Sequence, residues 1–178
     1  MTKIIKIISG GQTGVDRAAL DVALEFGLPI GGWCPKGRRA EDGRISEKYP
    51  LKETDSDDYA VRTEWNVRDS DGTLVITRGK PKGGTAFTLG MTRVHKKPYL
   101  VIDLCHCEEP LILSLSKDER RRGNPPNTIA QIHSWLQFYH IRILNIAGPR
   151  ESNIPGIYTD AKQLLSLLLE SLCKSHCF

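Results

Sequence analysis

Apolar residues along the chain recur in two rhythms, a dense β-branched run and a helical period, joined by glycines. Ile4, Ile5, Ile7 and Ile8 form a short run that suits a strand buried on both faces of a sheet. The run breaks at Ser9-Gly10-Gly11 and Thr13-Gly14. Val15, Ala18, Ala19, Val22, Ala23 and Phe26 then fall on one face of a helix, with Gly27 placed as its C-cap. The same logic returns at Thr73–Thr77, the clearest buried strand, followed by Gly83-Gly84-Thr85 and a helical period through Ala86, Phe87, Gly90, Met91 and Val94.

Between these units, 28–33 reads as a second strand weakened by glycines, and 34–44 as a polar loop carrying Lys36, Arg38, Arg39 and Arg44. That loop reads either as a solvated rim or as a flap for an anionic ligand. Asp55, Asp57 and Asp58 announce a helix over 58–70. Pro98–Leu104 and Ile141–Ala147 read as further strands, and Thr128–Gln131 fits a capping box ahead of a face of Ile129, Ile132, Leu136 and Tyr139. His133 on that helix is expected to be exposed. A closing helix carries Ile157, Ala161, Leu164, Leu165, Leu168 and Leu172 as a core stripe, which Leu167 and Leu169 widen toward a partner surface. Strands alternating with helices imply βαβ units in one α/β domain spanning 1–178, with a mostly parallel sheet. The polar stretch Cys105–Pro126 is read as an insertion or long loop.

Composition changes this picture little. The chain has 178 residues and a formal charge of +4, much of it in Arg120-Arg121-Arg122, which reads as a solvated loop rather than a nucleic-acid patch. No apolar run reaches membrane-spanning length and no signal peptide is apparent, so a cytoplasmic location is expected. Five cysteines argue against a disulfide framework. Cys105-His106-Cys107 and Cys173…His176-Cys177 lack CxxC spacing and read as ordinary thiols rather than metal ligands.

Candidate chemistry lies in the glycine turns. A strand–turn–helix unit aims backbone N–H groups and a helix dipole at one spot, suited to a phosphate or another oxyanion. Gly10-Gly11-Gln12-Thr13-Gly14 is the first such turn. Gly83-Gly84-Thr85 offers a second set of donors, and ligands of open α/β sheets bind at strand C-terminal ends. The first turn has neither GxGxxG nor a P-loop ending, which disfavours NAD and ATP.

The blocks SGGQTGVDRAALDVALEFGLPIGGWCPKGRRAEDGRI, RTEWNVRDSDGTLVIT, GGT and LNIAGPRESNIPGIY together resemble the molybdenum-carrier family, over most of the chain. The resemblance implies a Rossmann-like three-layer fold, a homo-oligomer (dimer or tetramer), and the molybdenum cofactor (molybdopterin) or a molybdate-like oxyanion as ligand. Proteins that make or accept that cofactor are the implied partners. On this reading the ligand's phosphate sits at Gly10, Gly11, Gln12, Thr13 and Gly14 with Arg17 as a nearby cation. Gly83, Gly84 and Thr85 hold its other polar end, Arg62, Thr63 and Asn66 line the cleft, and Arg150 and Ser152 close it. Related phosphoribohydrolases carry a glutamate after their glycine–threonine motif, whereas Thr85–Leu89 has no acid, so a non-catalytic carrier is expected. The alternative is a nucleoside-monophosphate phosphoribohydrolase, with Asp16, Glu64 or Asp71 supplying the carboxylate.

Overall fold

The structure, a computed structural model, describes residues 3–106 and 128–174. In chain order the elements are β1 (Lys6–Ile8), α1 (Val15–Glu25), β2 (Ile30–Gly31), β3 (Trp33–Cys34), β4 (Arg39–Ala40), β5 (Gly43–Arg44) and β6 (Lys52–Glu53). They continue with α2 (Tyr59–Arg68), β7 (Gly72–Thr77), α3 (Gly83–Val94), β8 (Tyr99–Asp103), α4 (Thr128–Phe138), β9 (Ile143–Ala147) and α5 (Ile157–Lys174). Most of the expected insertion, Arg120–Arg122, Cys107, His176 and Cys177 lie outside the described residues.

Five parallel strands form the central sheet in the order β2-β1-β9-β7-β8, the parallel α/β arrangement that the alternating pattern predicts and the Rossmann-like fold that the resemblance implies. Steps from β1 to β2 and from β7 to β8 run in opposite directions across the sheet. Right-handed crossovers therefore put α1 and α3 on opposite faces, and leave a crevice beside β9 where the order reverses.

The two faces differ in chemistry. Leu74 and Ile76 of β7, with Leu144 and Ile146 of β9, join the main apolar core with α1, α4 and α5. Thr73, Val75 and Thr77 alternate to the other face, where Asn145 Nδ2 donates to Thr73 Oγ1 at 3.1 Å. Helices α2 and α3 pack on each other and bury Thr63, Asn66, Thr85, Thr88 and Thr92 rather than leucines. Three of those hydroxyls are satisfied within their own helix, Thr63 on Tyr59 O, Thr88 on Gly84 O and Thr92 on Leu89 O.

Several expectations change in detail. Ile5 is 39% exposed and β1 begins only at Lys6, so the first run is not buried throughout. The second strand is split at Gly32, whose φ of +126° turns the chain out of the main sheet; β3 pairs instead with β6. His133 is half-buried, its Nε2 2.8 Å from Ser171 Oγ, which ties α4 to α5. Leu169 is core rather than partner surface, while Leu167 is half-buried. Leu168→Ala should accordingly cost about 2–5 kcal/mol, and Leu167→Ala well under half of that. Chemical denaturation of the two variants checks this; equal losses would contradict the assignment of faces.

Candidate functional site

Chain entry into α1 brings three segments together. Ser9 Oγ donates to Ile146 O at 2.7 Å, fixing the end of β1 beside β9. Gly14 has φ +74°, and a Cβ there would stand 2.4 Å from Pro149 O. Only glycine lets the loop after β9 lie this close, and Val15 N donates to Pro149 O at 3.3 Å as a result. The second glycine turn opens α3, whose Lys82 N-cap offers no side-chain bond. Its positive dipole end thus remains available to a ligand. Gln12 from the first turn, Gly84 and Thr85 from the second, and Arg150 from the loop after β9 line one cavity of about 280 Å³.

The cavity wall carries three cations, Arg62, Lys82 and Arg150, and a single carboxylate, Asp16. Arg62 reaches across Gly10, where a Cβ would fall 1.7 Å from its Nη1. That Nη1 donates to Asp16 Oδ2 at 3.1 Å, with the two side chains 14% and 5% exposed. Burial pushes the Asp16 carboxyl above the ordinary range, although Arg62's charge and hydrogen bond and a Gln12 backbone bond pull the other way. Arg150 lies on the Tyr59 ring, 4.8 Å from its centroid.

Two buried donors in this wall are unmet. Gln12 Oε1 accepts from Thr13 N (3.3 Å) and Glu41 N (3.1 Å), which leaves Gln12 Nε2 without a partner. Arg62 Nε is likewise buried and unpartnered. Native interiors satisfy such groups, with water or ligand where the protein does not, so two orphan donors beside three cations suit oxygen acceptors.

The loop between β3 and α2 does not act as a cationic flap. Arg38 is 4% exposed and donates to four carbonyls: Ile45 O (3.0 Å), Leu51 O (3.0 Å), Ser46 O (2.9 Å) and Tyr49 O (2.8 Å). Arg39 pairs with Asp57 and Arg44 with Glu47. What the loop sends to the glycine turn is acid. Glu41, at the turn of the β4–β5 hairpin, accepts from Thr13 Oγ1, Ser152 N (3.2 Å) and Ser152 Oγ, and Asp42 pairs with Arg17 at 3.1 Å. Burial works to raise the Glu41 carboxyl, but the Ser152 and Thr13 bonds outweigh it and hold it below the usual range.

The other residues singled out in the sequence are placed elsewhere. Thr13, Gly14 and Arg17 line a second, more open cavity of about 480 Å³ with Asp21, Lys48, Tyr49 and Tyr158. Burial tends to raise the Asp21 carboxyl, but hydrogen bonds from Lys48, Tyr49 and Tyr158 outweigh it and hold it low. Gly11 packs against Leu51 and Ile45, and its carbonyl accepts from Arg17 Nε at 3.3 Å. Asn66 spends both ends of its amide on Trp33, accepting from Trp33 N (2.8 Å) and donating to Trp33 O (2.9 Å). Gly83 is exposed at the first position of α3, and Ser152 is engaged by Glu41. Lys82, Tyr59 and Phe87, which the sequence reading did not single out, line the first cavity. Lys82 directly before a glycine turn was the one readable signal. Among the described residues no cluster of three or more His, Cys, Asp or Glu could hold a metal, and no helix is long and apolar enough to cross a membrane.

Fold and site together define an open parallel α/β domain with a cation-lined crevice at the reversal of its strand order. Residues 7–169 match the circularly permutated YpsA SLOG family, and the chain belongs to it. It is similar to a crystal structure named "Putative molybdenum carrier protein" from Syntrophus aciditrophicus SB, at 47% identity and a TM-score of 0.81, covering 94% of this chain and 96% of the other. No curated protein matches the chain.

Arg38→Met should leave four loop carbonyls without their donor and cost about 3 kcal/mol or more. Denaturant unfolding, with amide exchange over 39–51, reads both the loss and its location. A change below about 1 kcal/mol would contradict the clamp.

Proposed function

We propose that this protein is a non-catalytic carrier that holds the molybdenum cofactor, or a molybdate-like oxyanion, in the crevice between its two glycine turns. The observation that carries the reading is the pair of buried, unmet donors, Gln12 Nε2 and Arg62 Nε, in a wall with three cations and one carboxylate. Three cations against one carboxylate leave the wall positively charged whether or not Asp16 is ionised, which suits a dianion such as molybdate or a phosphate monoester. The N-terminus of α3, without a side-chain cap, adds its dipole, the Gly84 backbone N–H and the Thr85 hydroxyl, while Thr85 N itself donates to Lys82 O at 3.1 Å. At about 280 Å³ the cavity lies at the low end of small-molecule sites, which run from about 300 to 1,000 Å³. It has room for an oxyanion or the phosphate end of a pterin, and Tyr59 and Phe87 in its lining offer aromatic surface to the remainder. Likeness to a named molybdenum carrier supports the same direction.

Holding a ligand needs no acid or base, and Thr85–Leu89 at the start of α3 supplies none. The hydrolase alternative rests on one observation. Of the three carboxylates it could use, Asp16 lines the cavity, whereas Glu64 faces His95 at 3.2 Å and Asp71 accepts from Arg142 N and Ile143 N. Release of free base from nucleoside monophosphates would favour it. A homo-oligomer, cytoplasmic location and exchange with cofactor-making or cofactor-accepting proteins belong to the carrier reading. The exposure of Phe87 and Val94 on α3 and Tyr99 on β8 is compatible with an oligomer.

Purified protein should retain molybdenum by elemental analysis. Gln12→Glu, which replaces a donor with a carboxylate, should weaken ligand or molybdate binding at least tenfold, about 1.4 kcal/mol. Unchanged affinity in that variant would contradict the site.

A further inference from the structure

Asp16 is the feature of the cavity that anion binding alone does not explain. It is the single carboxylate in the wall, and an incoming anion would repel it. Its Oδ2 holds Arg62 Nη1, while the unmet Nε belongs to the same planar guanidinium. An anion received at Nε would therefore share one cation with Asp16, in a place where both lie largely out of water. A neutral carboxylic acid relieves the repulsion and still offers its carbonyl oxygen to Arg62. The charged groups acting on Asp16 are Arg62 from α2 and Arg150 from the loop after β9, and Lys82 ahead of α3 lines the same cavity. Gln12 and Tyr59 complete the polar surroundings, and no histidine is among the lining residues.

We propose that Asp16 and the ligand are coupled through Arg62, so that the cavity takes up a dianion together with one proton and gives up both together as pH rises. The proton comes from solvent and ends on the Asp16 carboxylate; no other bond forms or breaks. The inference rests on the anion-binding reading above and adds how that site is regulated. Burial already holds this carboxyl above its ordinary range in the free protein, and a second anion pushes the same way. The sign follows from linkage. Because the bound form holds its proton to higher pH than the free form, affinity is highest at low pH. It falls by up to tenfold per pH unit between the two titration points and levels off above them.

Calorimetric titration of the wild-type protein with sodium molybdate, a dianion throughout the range from about pH 6 to 8, tests this. Repeating each titration in two buffers of different ionisation heat counts the protons exchanged. The expected result is net proton uptake of up to one per anion, with affinity rising as pH falls. Asp16→Asn should bind with no proton uptake and a flat pH profile. Wild-type binding with no proton exchange overturns the coupling, as does unchanged uptake in Asp16→Asn. If that variant does not fold, the buffer-pair measurement on the wild type decides alone. Absence of molybdate binding at every pH would instead remove the anion site, and this inference with it.

Discussion

Arg62 lying over Gly10 to reach Asp16 is the contact that shapes the crevice. It joins α2 to the first turn of α1, two elements with no reason of their own to meet. A buried ion pair contributes little net stability, because desolvating both charges offsets most of their attraction. Its effect here is geometric. By engaging Nη1 it fixes the guanidinium of a residue that lines the cavity, and leaves its Nε buried with no partner. Gly10 is indispensable to this arrangement, since any side chain there would occupy the place of the guanidinium.

The rest of the fold supports that contact from two directions. On one face of the sheet a leucine- and isoleucine-rich core under α1, α4 and α5 supplies stability in the ordinary way. The other face is lined by Thr73, Thr77 and Asn145, over which α2 and α3 sit on threonines. Asn66 pins α2 to β3 through both ends of its amide, which holds Arg62 at the right height. From the opposite side the loop organised by Arg38 delivers Glu41 to the first glycine turn. Its backbone N–H orients the Gln12 amide while its carboxylate binds Thr13 and Ser152.

Much of the fold was legible because its signals are local. Glycine turns at strand ends and the periodicity of α1 and α5 define βαβ units within short windows. The apolar stripe expected on α3, by contrast, is not its buried face: Ala86, Phe87 and Val94 are exposed, and the helix packs on Thr85, Thr88 and Thr92. The region from 30 to 57 was harder to read. Gly32 diverts the second strand because Ser9 O lies against it, and the loop's path is set by Arg38 and four carbonyls up to 13 residues away. Neither cause appears in a sequence window. In the site, Gln12, Gly84, Thr85 and Arg150 were readable from turn position and charge. The Arg62–Asp16 pair, 46 residues apart, was not readable as a pair, although both side chains had been considered separately. Arg17, Asn66 and Ser152 have the right chemistry for a ligand, but their polar groups are taken up by Gly11 and Asp42, by Trp33, and by Glu41.

On the carrier reading, an oxyanion binds a guanidinium N–H and an amide N–H that lie buried without partners. X-ray data collected from crystals grown with molybdate, at a wavelength where molybdenum scatters anomalously, would locate that oxyanion directly. The account predicts a molybdenum peak with oxygens in hydrogen-bond reach of Gln12 Nε2 and Arg62 Nε. An empty crevice, or a peak confined to the open cavity of Arg17 and Lys48, would contradict it.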